Sequence, residues 1–146
     1  MTLIGKVQVP DDRWIYMWYL INPASGAHNV VVSASGTSLI GGMAVSYTGA
    51  KQSAQPDAFA TNSSSGATSI TTSVTTVANN CWTVLYSKID GTAITAGTGS
   101  TQRVNNTGKA LFDSNSALTP AGSKSMTLTD AASPHWGVVM ASFSPF

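Results

Sequence analysis

Charged side chains are scarce in this chain of 146 residues. Only 9% of the residues are charged, against about a quarter in an ordinary globular protein, and glutamate is absent. The formal net charge of +1 provides neither the basic field that attracts nucleic acid nor an acidic field for cationic partners. Serine and threonine make up roughly a quarter of the chain, above average usage. We therefore expect a hydroxyl-rich, nearly neutral surface with little electrostatic protection against self-association.

Cysteine and long apolar runs are also missing or rare. Cys81 is the only cysteine, which excludes an intrachain disulfide. We expect it to be a small core residue, with an intermolecular disulfide or a reactive thiol as alternatives. No run of 18 apolar residues is present, so no membrane span is expected. Residues 1–6 show no secretion signal, and the composition resembles that of virion and extracellular proteins, which is the location we expect.

The pattern of apolar residues predicts an all-β protein. Hydrophobic residues make up 42% of the chain, enough for a core, and the length fits one domain over 1–146. No segment shows a sustained helical stripe, whereas eight to ten short alternating segments are separated by turn signals. We therefore predict a two-layer antiparallel β-sandwich of jelly-roll or immunoglobulin-like topology.

The strands can be placed approximately. Val30, Val31 and Val32 form a β-branched run typical of a buried strand, and Asp90-Gly91 is a strong hairpin signal. Two long loops are expected at 49–66, anchored by Phe59, and at 105–122, with Leu111, Phe112 and Leu118 as possible anchors. The predicted strands cover residues 2–9, 14–21, 27–34, 39–48, 67–77, 81–89, 92–96, 100–104, 123–129 and 135–143.

Residues 13–23 hold two of the four tryptophans and two of the four tyrosines. With strand periodicity, Trp14, Tyr16 and Trp18 share one face, and the intervening residues form a second apolar face. A strand with one half-solvated face is therefore not expected: either the strand is central to a sandwich or its second face meets another chain. For the three-ring face the alternatives are core packing, a subunit interface and a sugar-binding platform. The candidate interface or ligand-binding residues are Trp14, Tyr16, Trp18 and Tyr19.

Catalytic and metal-binding patterns are weak. His28 and His135 lack the spacing of a metal site, and no Gly-x-Ser-x-Gly turn accompanies the many serines. Glycoside hydrolysis needs two placed carboxylates, whereas most aspartates here stand in turns. Asp11-Asp12 lacks the alternating spacing of a calcium loop. We therefore expect no catalytic residue, no cofactor and no metal.

The order of several motifs resembles a widespread family of β-sandwich modules. The motifs are WYLINPASG at 18–26, NVVV at 29–32, AVSYTGAKQ at 44–52, TQR at 101–103 and SFSP at 142–145. Low-charge modules of this kind are found in phage structural proteins and in bacterial surface or secreted proteins. Such modules usually begin with one or two further strands, so the resemblance implies an open sheet edge near the first strand.

These observations predict a non-catalytic structural protein that associates with copies of itself or docks on a larger particle. Its most concrete form is a phage virion component, such as a capsid decoration or tail-associated protein. The alternative is a carbohydrate-binding module of a secreted or surface protein. The expected partners are further copies, other virion or surface proteins, or a carbohydrate, and neither nucleic acid nor a membrane.

Overall fold

A computed structural model describes residues 1–37, 39–89, 94–132 and 135–146. This part of the chain contains ten strands, all paired antiparallel, and no helix. The predicted all-β sandwich is confirmed. The strands are β1 (Thr2–Gln8), β2 (Trp14–Tyr19), β3 (Ala58–Ser64), β4 (Ser69–Thr75), β5 (Trp82–Ile89), β6 (Thr95–Ala96), β7 (Thr101–Asn106), β8 (Lys109–Asp113), β9 (Ser123–Thr129) and β10 (Trp136–Phe143).

The strands form three sheets. The five-stranded sheet has the order β3-β10-β5-β8-β7, the three-stranded sheet the order β4-β9-β6, and β1 and β2 form a separate hairpin. The main core lies between the two larger sheets and includes Leu85, Phe112 and Met126. A second core lies between the hairpin and the opposite face of the five-stranded sheet. The hairpin therefore covers part of a face that the three-stranded sheet cannot reach.

The strand β10 is the centre of the molecule. Trp136, Val138 and Met140 point into the main core, and Val139 and Ala141 point into the second core; all five are fully buried. Because both faces of β10 are covered, nearly all of its residues are apolar, and apolar and polar residues do not alternate along it. The strand predicted at 135–143 is therefore confirmed, with the bounds of β10.

The three-stranded sheet has one wet face. Ile70 and Val74 of β4 are buried in the core, while the Thr71 hydroxyl lies 2.8 Å from the Thr127 hydroxyl on the outer side. Such cross-strand hydroxyl pairs stabilise a sheet without ionic groups. The strand predicted at 67–77 is therefore confirmed, with the bounds of β4.

The hairpin packs onto the five-stranded sheet at Gly137. A Cβ atom at this glycine would lie 2.6 Å from Val9 Cγ2 and 2.6 Å from Ile15 Cδ1. No side chain fits at this position because the two layers are already in contact there. The glycine therefore sets how closely the hairpin approaches β10.

Two predicted strands are absent from the structure. Residues 27–34 form no strand, and Val30, Val31 and Val32 are exposed rather than buried. The described residues of 39–48 also lack strand pairing. Both predictions were wrong because β-branched residues make a strand only where a neighbouring strand supplies hydrogen bonds and cover.

Both predicted long loops contain strands instead. Segment 49–66 includes β3, at the edge of the five-stranded sheet, and Phe59 is 53% exposed there rather than an anchor. Segment 105–122 includes β8, where Leu111 and Phe112 are buried as expected. The described part of the predicted strand at 92–96 contains β6, which pairs with β9. The predicted turn at Asp90-Gly91 lies outside the described residues.

Candidate interaction surface

The β1–β2 hairpin is closed by a turn rich in aspartate. Backbone hydrogen bonds run from Val9 N to Arg13 O (2.8 Å) and from Asp12 N to Val9 O (3.1 Å). Asp12 has a φ of 68°, a conformation that aspartate and asparagine tolerate better than most residues. The guanidinium of Arg13 donates to the Asp11 carboxylate and so holds the turn together. Asp11 therefore has a structural partner.

The outer face of the hairpin carries three aromatic rings in a row. Trp14, Tyr16 and Trp18 are 48%, 45% and 49% exposed. Their ring centroids are separated by 6.3 Å and 6.5 Å along the row, and successive planes differ by 31° and 26°. The Lys6 ammonium lies 5.1 Å from the centroid of the Trp14 ring, a cation–π contact. We call these three rings the aromatic face.

This arrangement excludes one alternative and corrects one prediction. The three rings do not pack into the core of their own chain, which was one of the three alternatives for them. The prediction that β2 has no half-solvated face was wrong, because Ile15 and Met17 are buried while the rings on the opposite face are about half exposed. Tyr19 is only partly buried and packs against the second core, so it does not belong to the aromatic face. Strand periodicity shows which side chains share a face but not which face meets the core when both are apolar.

A second apolar surface lies on the segment between β2 and β3. We call residues 20–49 the extended loop; its described part contains no strand. Val31 is 75% exposed, and its neighbours Val30 and Val32, together with Leu39 and Ile40, are also strongly exposed. An exposed apolar run of this length is unusual for a monomeric soluble protein and commonly marks an interaction site.

The extended loop and the aromatic face meet at one point. A shallow cleft of about 310 Å³ is lined by Met1, Trp18, Val31, Val32 and Ser33. The valines therefore lie beside the last ring of the aromatic face but remain largely exposed. The two features form one continuous apolar surface.

The end of the extended loop is fixed to the five-stranded sheet through Asp113. This carboxylate is 1% exposed and accepts hydrogen bonds from Tyr47 Oη (3.0 Å), Arg103 Nε (2.7 Å) and the Asn115 amide (2.9 Å). The Tyr47 ring also lies 6.4 Å from that of Trp82. A bridge between Ala50 and Pro145 and hydrogen bonds from Gln55 to Ser144 hold the next residues. Sequence patterns did not predict these contacts, because they join residues that are far apart in the chain.

The same contacts shift two pKa values. Burial raises the pKa of Asp113, but the hydrogen bonds from Arg103, Asn115 and Tyr47 outweigh it and hold the pKa below its usual range. Burial, followed by the negative charge of Asp113, raises the pKa of Tyr47 well above its usual value. Asp113 therefore stays ionised and Tyr47 stays protonated at neutral pH, which suits a structural hydrogen bond.

In the part of the chain that the structure describes, side chains with catalytic or metal-binding chemistry form no cluster at this surface. His28 is exposed, and its Nε2 lies 3.1 Å from the Ser25 carbonyl oxygen. Cys81 is fully buried, as predicted for a core residue, and donates to the Ala78 carbonyl. Within the described ranges, no three His, Cys, Asp or Glu side chains lie close enough to hold a metal ion.

The larger cleft, of about 700 Å³, lies at one end of the three-stranded sheet. Its lining includes Asp130, of which one carboxylate oxygen accepts from the Ala132 amide at 2.7 Å. The hydroxyls of Thr95 and Thr129, also in the lining, bond to each other at 2.6 Å. Among its described lining residues, Asp130 is the one ionisable group, so no acid–base pair is assembled there.

We compared the chain with protein-family models, with curated proteins and with solved structures, and none of them matches. In the part of the chain that the structure describes, no helix has the length and apolar character needed to cross a membrane.

Proposed function

We propose that this protein is a non-catalytic assembly module that associates with further copies through the aromatic face and the extended loop. The observation that carries the proposal is the row of three half-exposed rings, which adjoins an exposed run of valines. Aromatic side chains dominate protein interfaces because each buries a large area at small entropic cost. In its most concrete form the protein is a phage virion component, either a capsid decoration or a tail-associated protein.

Composition supports the same proposal. The net charge of +1 imposes almost no repulsion between copies, and 9% charged residues leave few groups to desolvate at an interface. The resemblance to low-charge modules of phage and bacterial surface proteins favours a particle or cell surface as the place of assembly. A gene position beside capsid, portal or tail genes would favour the virion over the cell surface.

Sedimentation of the purified protein at micromolar concentration tests the proposal. We expect oligomers for the wild type and a shift towards monomer for the double variant Trp14→Ser/Trp18→Ser. The matched control is Val77→Ser, which also removes an exposed apolar side chain but lies in the segment between β4 and β5, outside the aromatic face and the extended loop. A wild-type monomer at these concentrations, or equal effects of both variants, would contradict the proposal.

A carbohydrate-binding module is the second candidate. It rests on the row of rings, because apolar pyranose faces stack on exposed aromatic side chains, and on Lys6 beside Trp14 as a polar flank. Titration with soluble polysaccharides should then change tryptophan fluorescence, and Trp14→Ala or Trp18→Ala should abolish the change. Oligomers without any such response favour assembly, and a monomer with it favours carbohydrate binding.

A further inference from the structure

The segment 27–34 has the sequence of a strand but not the environment of one. Val30, Val31 and Val32 favour extended, covered backbone. In the described structure, however, these valines are exposed and no backbone–backbone hydrogen bond involves residues 27–34. Natural sequences rarely set a local preference against the global fold. Among the described residues, no neighbouring strand covers these valines.

The aromatic face is also only partly covered within the single chain. Trp18 borders the cleft that contains Val31 and Val32, whereas Trp14 and Tyr16 do not line it and remain about half exposed. The single chain thus offers two apolar surfaces, one of flat rings and one of branched aliphatic groups. Rings and β-branched side chains are favourable neighbours on a β-surface.

We propose that two copies pair about a twofold axis, with Val30–Val32 of each copy lying across the rings of Trp14 and Tyr16 in the other. This inference rests on the proposed assembly function and names its partner as a second copy of this chain. The near-zero net charge allows the two identical surfaces to approach without repulsion.

The apolar area available distinguishes a single loop–ring contact between two copies from a reciprocal pair of such contacts. The two half-exposed rings of Trp14 and Tyr16 offer about 200 Å², since an enclosed aromatic side chain buries roughly 150–250 Å². The three exposed valines of the loop add a comparable area. One such contact therefore buries roughly 400 Å² in total, the size of an incidental contact, whereas two symmetrical contacts bury about 800 Å², the size of a weak, transient interface. Of the two arrangements, only the reciprocal one reaches the size of a weak but specific dimer interface.

The extended loop is long enough to reach a second copy. It leaves β2 after Tyr19 and is fixed again at Tyr47 by the hydrogen bond to Asp113. Between these anchors its middle lies more than ten residues from either end, and extended chain spans about 3.3 Å per residue. The valines lie close to this middle and can move without disturbing either anchor.

Disulfide trapping tests this arrangement directly. The native Cys81 is fully buried, so it does not compete with cysteines placed on the surface. We expect a mixture of the variants Val31→Cys and Tyr16→Cys to form a covalent heterodimer under mild oxidation, at least tenfold faster than either variant alone. Faster coupling of Val31→Cys with itself, or of Tyr16→Cys with itself, would overturn the proposal, because it would place loop against loop or ring against ring.

A second variant measures the energetic role of the valines. The triple change Val30→Ser/Val31→Ser/Val32→Ser should raise the dimer dissociation constant at least tenfold and leave the urea midpoint of the monomer unchanged, since these side chains are exposed in the single chain. Val77→Ser is again the control. An unchanged dissociation constant would overturn the inference while leaving self-association intact, and a monomeric wild type would remove both.

Discussion

Asp113 is the residue on which the position of the extended loop most directly depends. Its carboxylate is almost fully buried and accepts three hydrogen bonds, one of them from Tyr47 on the loop. Asp113→Asn removes the charge and leaves one donor facing an amide nitrogen, so we expect a loss of about 1–3 kcal/mol in the free energy of unfolding. Urea denaturation measures it, and Asp11→Asn in the exposed turn is the control, with an expected loss below about 1 kcal/mol.

The low pKa of Asp113 also predicts a pH dependence. Because the folded pKa lies below the unfolded value, the carboxylate stabilises the fold above that unfolded value and ceases to do so as the pH falls through the folded pKa. Wild-type stability should therefore fall as the pH drops below the unfolded value of about 3.8 towards the folded pKa of Asp113. The fall should be shallower for Asp113→Asn. Parallel curves for the two proteins would show that other carboxylates carry the acid dependence.

The Cys81 thiol should not react with thiol reagents in the folded protein. Burial, and after it the negative charge of Asp57, raises the pKa of the Cys81 thiol to about 11, and the side chain has no solvent exposure. At pH 8 the thiolate is therefore scarce and inaccessible. A thiol reagent should label the protein only after unfolding in urea, whereas Val31→Cys should react at once. Rapid labelling of wild-type Cys81 would show that its surroundings open readily.

At the scale of elements, truncating a side chain on one face of β2 should reduce the free energy of unfolding much more than truncating one on the other face. Ile15 is 3% exposed and packs against β10, whereas Tyr16 next to it points outwards. Ile15→Ala should cost about 2–4 kcal/mol because it leaves a cavity under the hairpin, and Tyr16→Ala should cost under about 1 kcal/mol. Urea denaturation at concentrations low enough to keep the protein monomeric compares them. Equal losses would mean that both faces are covered within one chain.

Sequence patterns located most of the strands whose alternation is clear. The strands β2, β4 and β9 each show the expected period of two, and in β4 and β9 the hydroxyl-rich side is the hydrated side. The strand β10 lies close to its predicted bounds but is buried on both faces. The strand β3, with the sequence AFATNSS, carries no apolar alternation. It is a strand because its backbone pairs with β10, a tertiary contact that local sequence does not encode.

The strand β8 had a usable signal that was missed. Thr107 and Gly108 separate β7 from β8, and Gly108 has a φ of 71°, which is typical of a tight hairpin turn. Strand periodicity correctly placed residues 14, 16 and 18 on one face of β2. The side of the strand that faces solvent was not predictable, since Ile15 and Met17 make the opposite face equally apolar. Only the close approach at Gly137 decides which face is covered.

At the scale of the whole molecule, polar and apolar surfaces are divided between opposite sides. The three-stranded sheet presents hydroxyl pairs such as Ser73–Ser125 to solvent, while the hairpin and extended loop present rings and valines. A protein with so few charges cannot orient its partners by long-range fields. In the proposed assembly, shape and apolar area on one side would therefore determine where copies meet.

This division predicts how association responds to salt and temperature. Because the proposed interface contains few charges, raising sodium chloride from 50 to 500 mM should change the dimer dissociation constant by less than about threefold. Cooling from 25 to 5 °C should weaken association, since the hydrophobic driving force near room temperature is mainly entropic. Sedimentation across both series measures these effects, with Lys6→Gln as a control for the cation beside Trp14. A steep weakening with salt would instead indicate an interface held by ion pairs, away from the aromatic face.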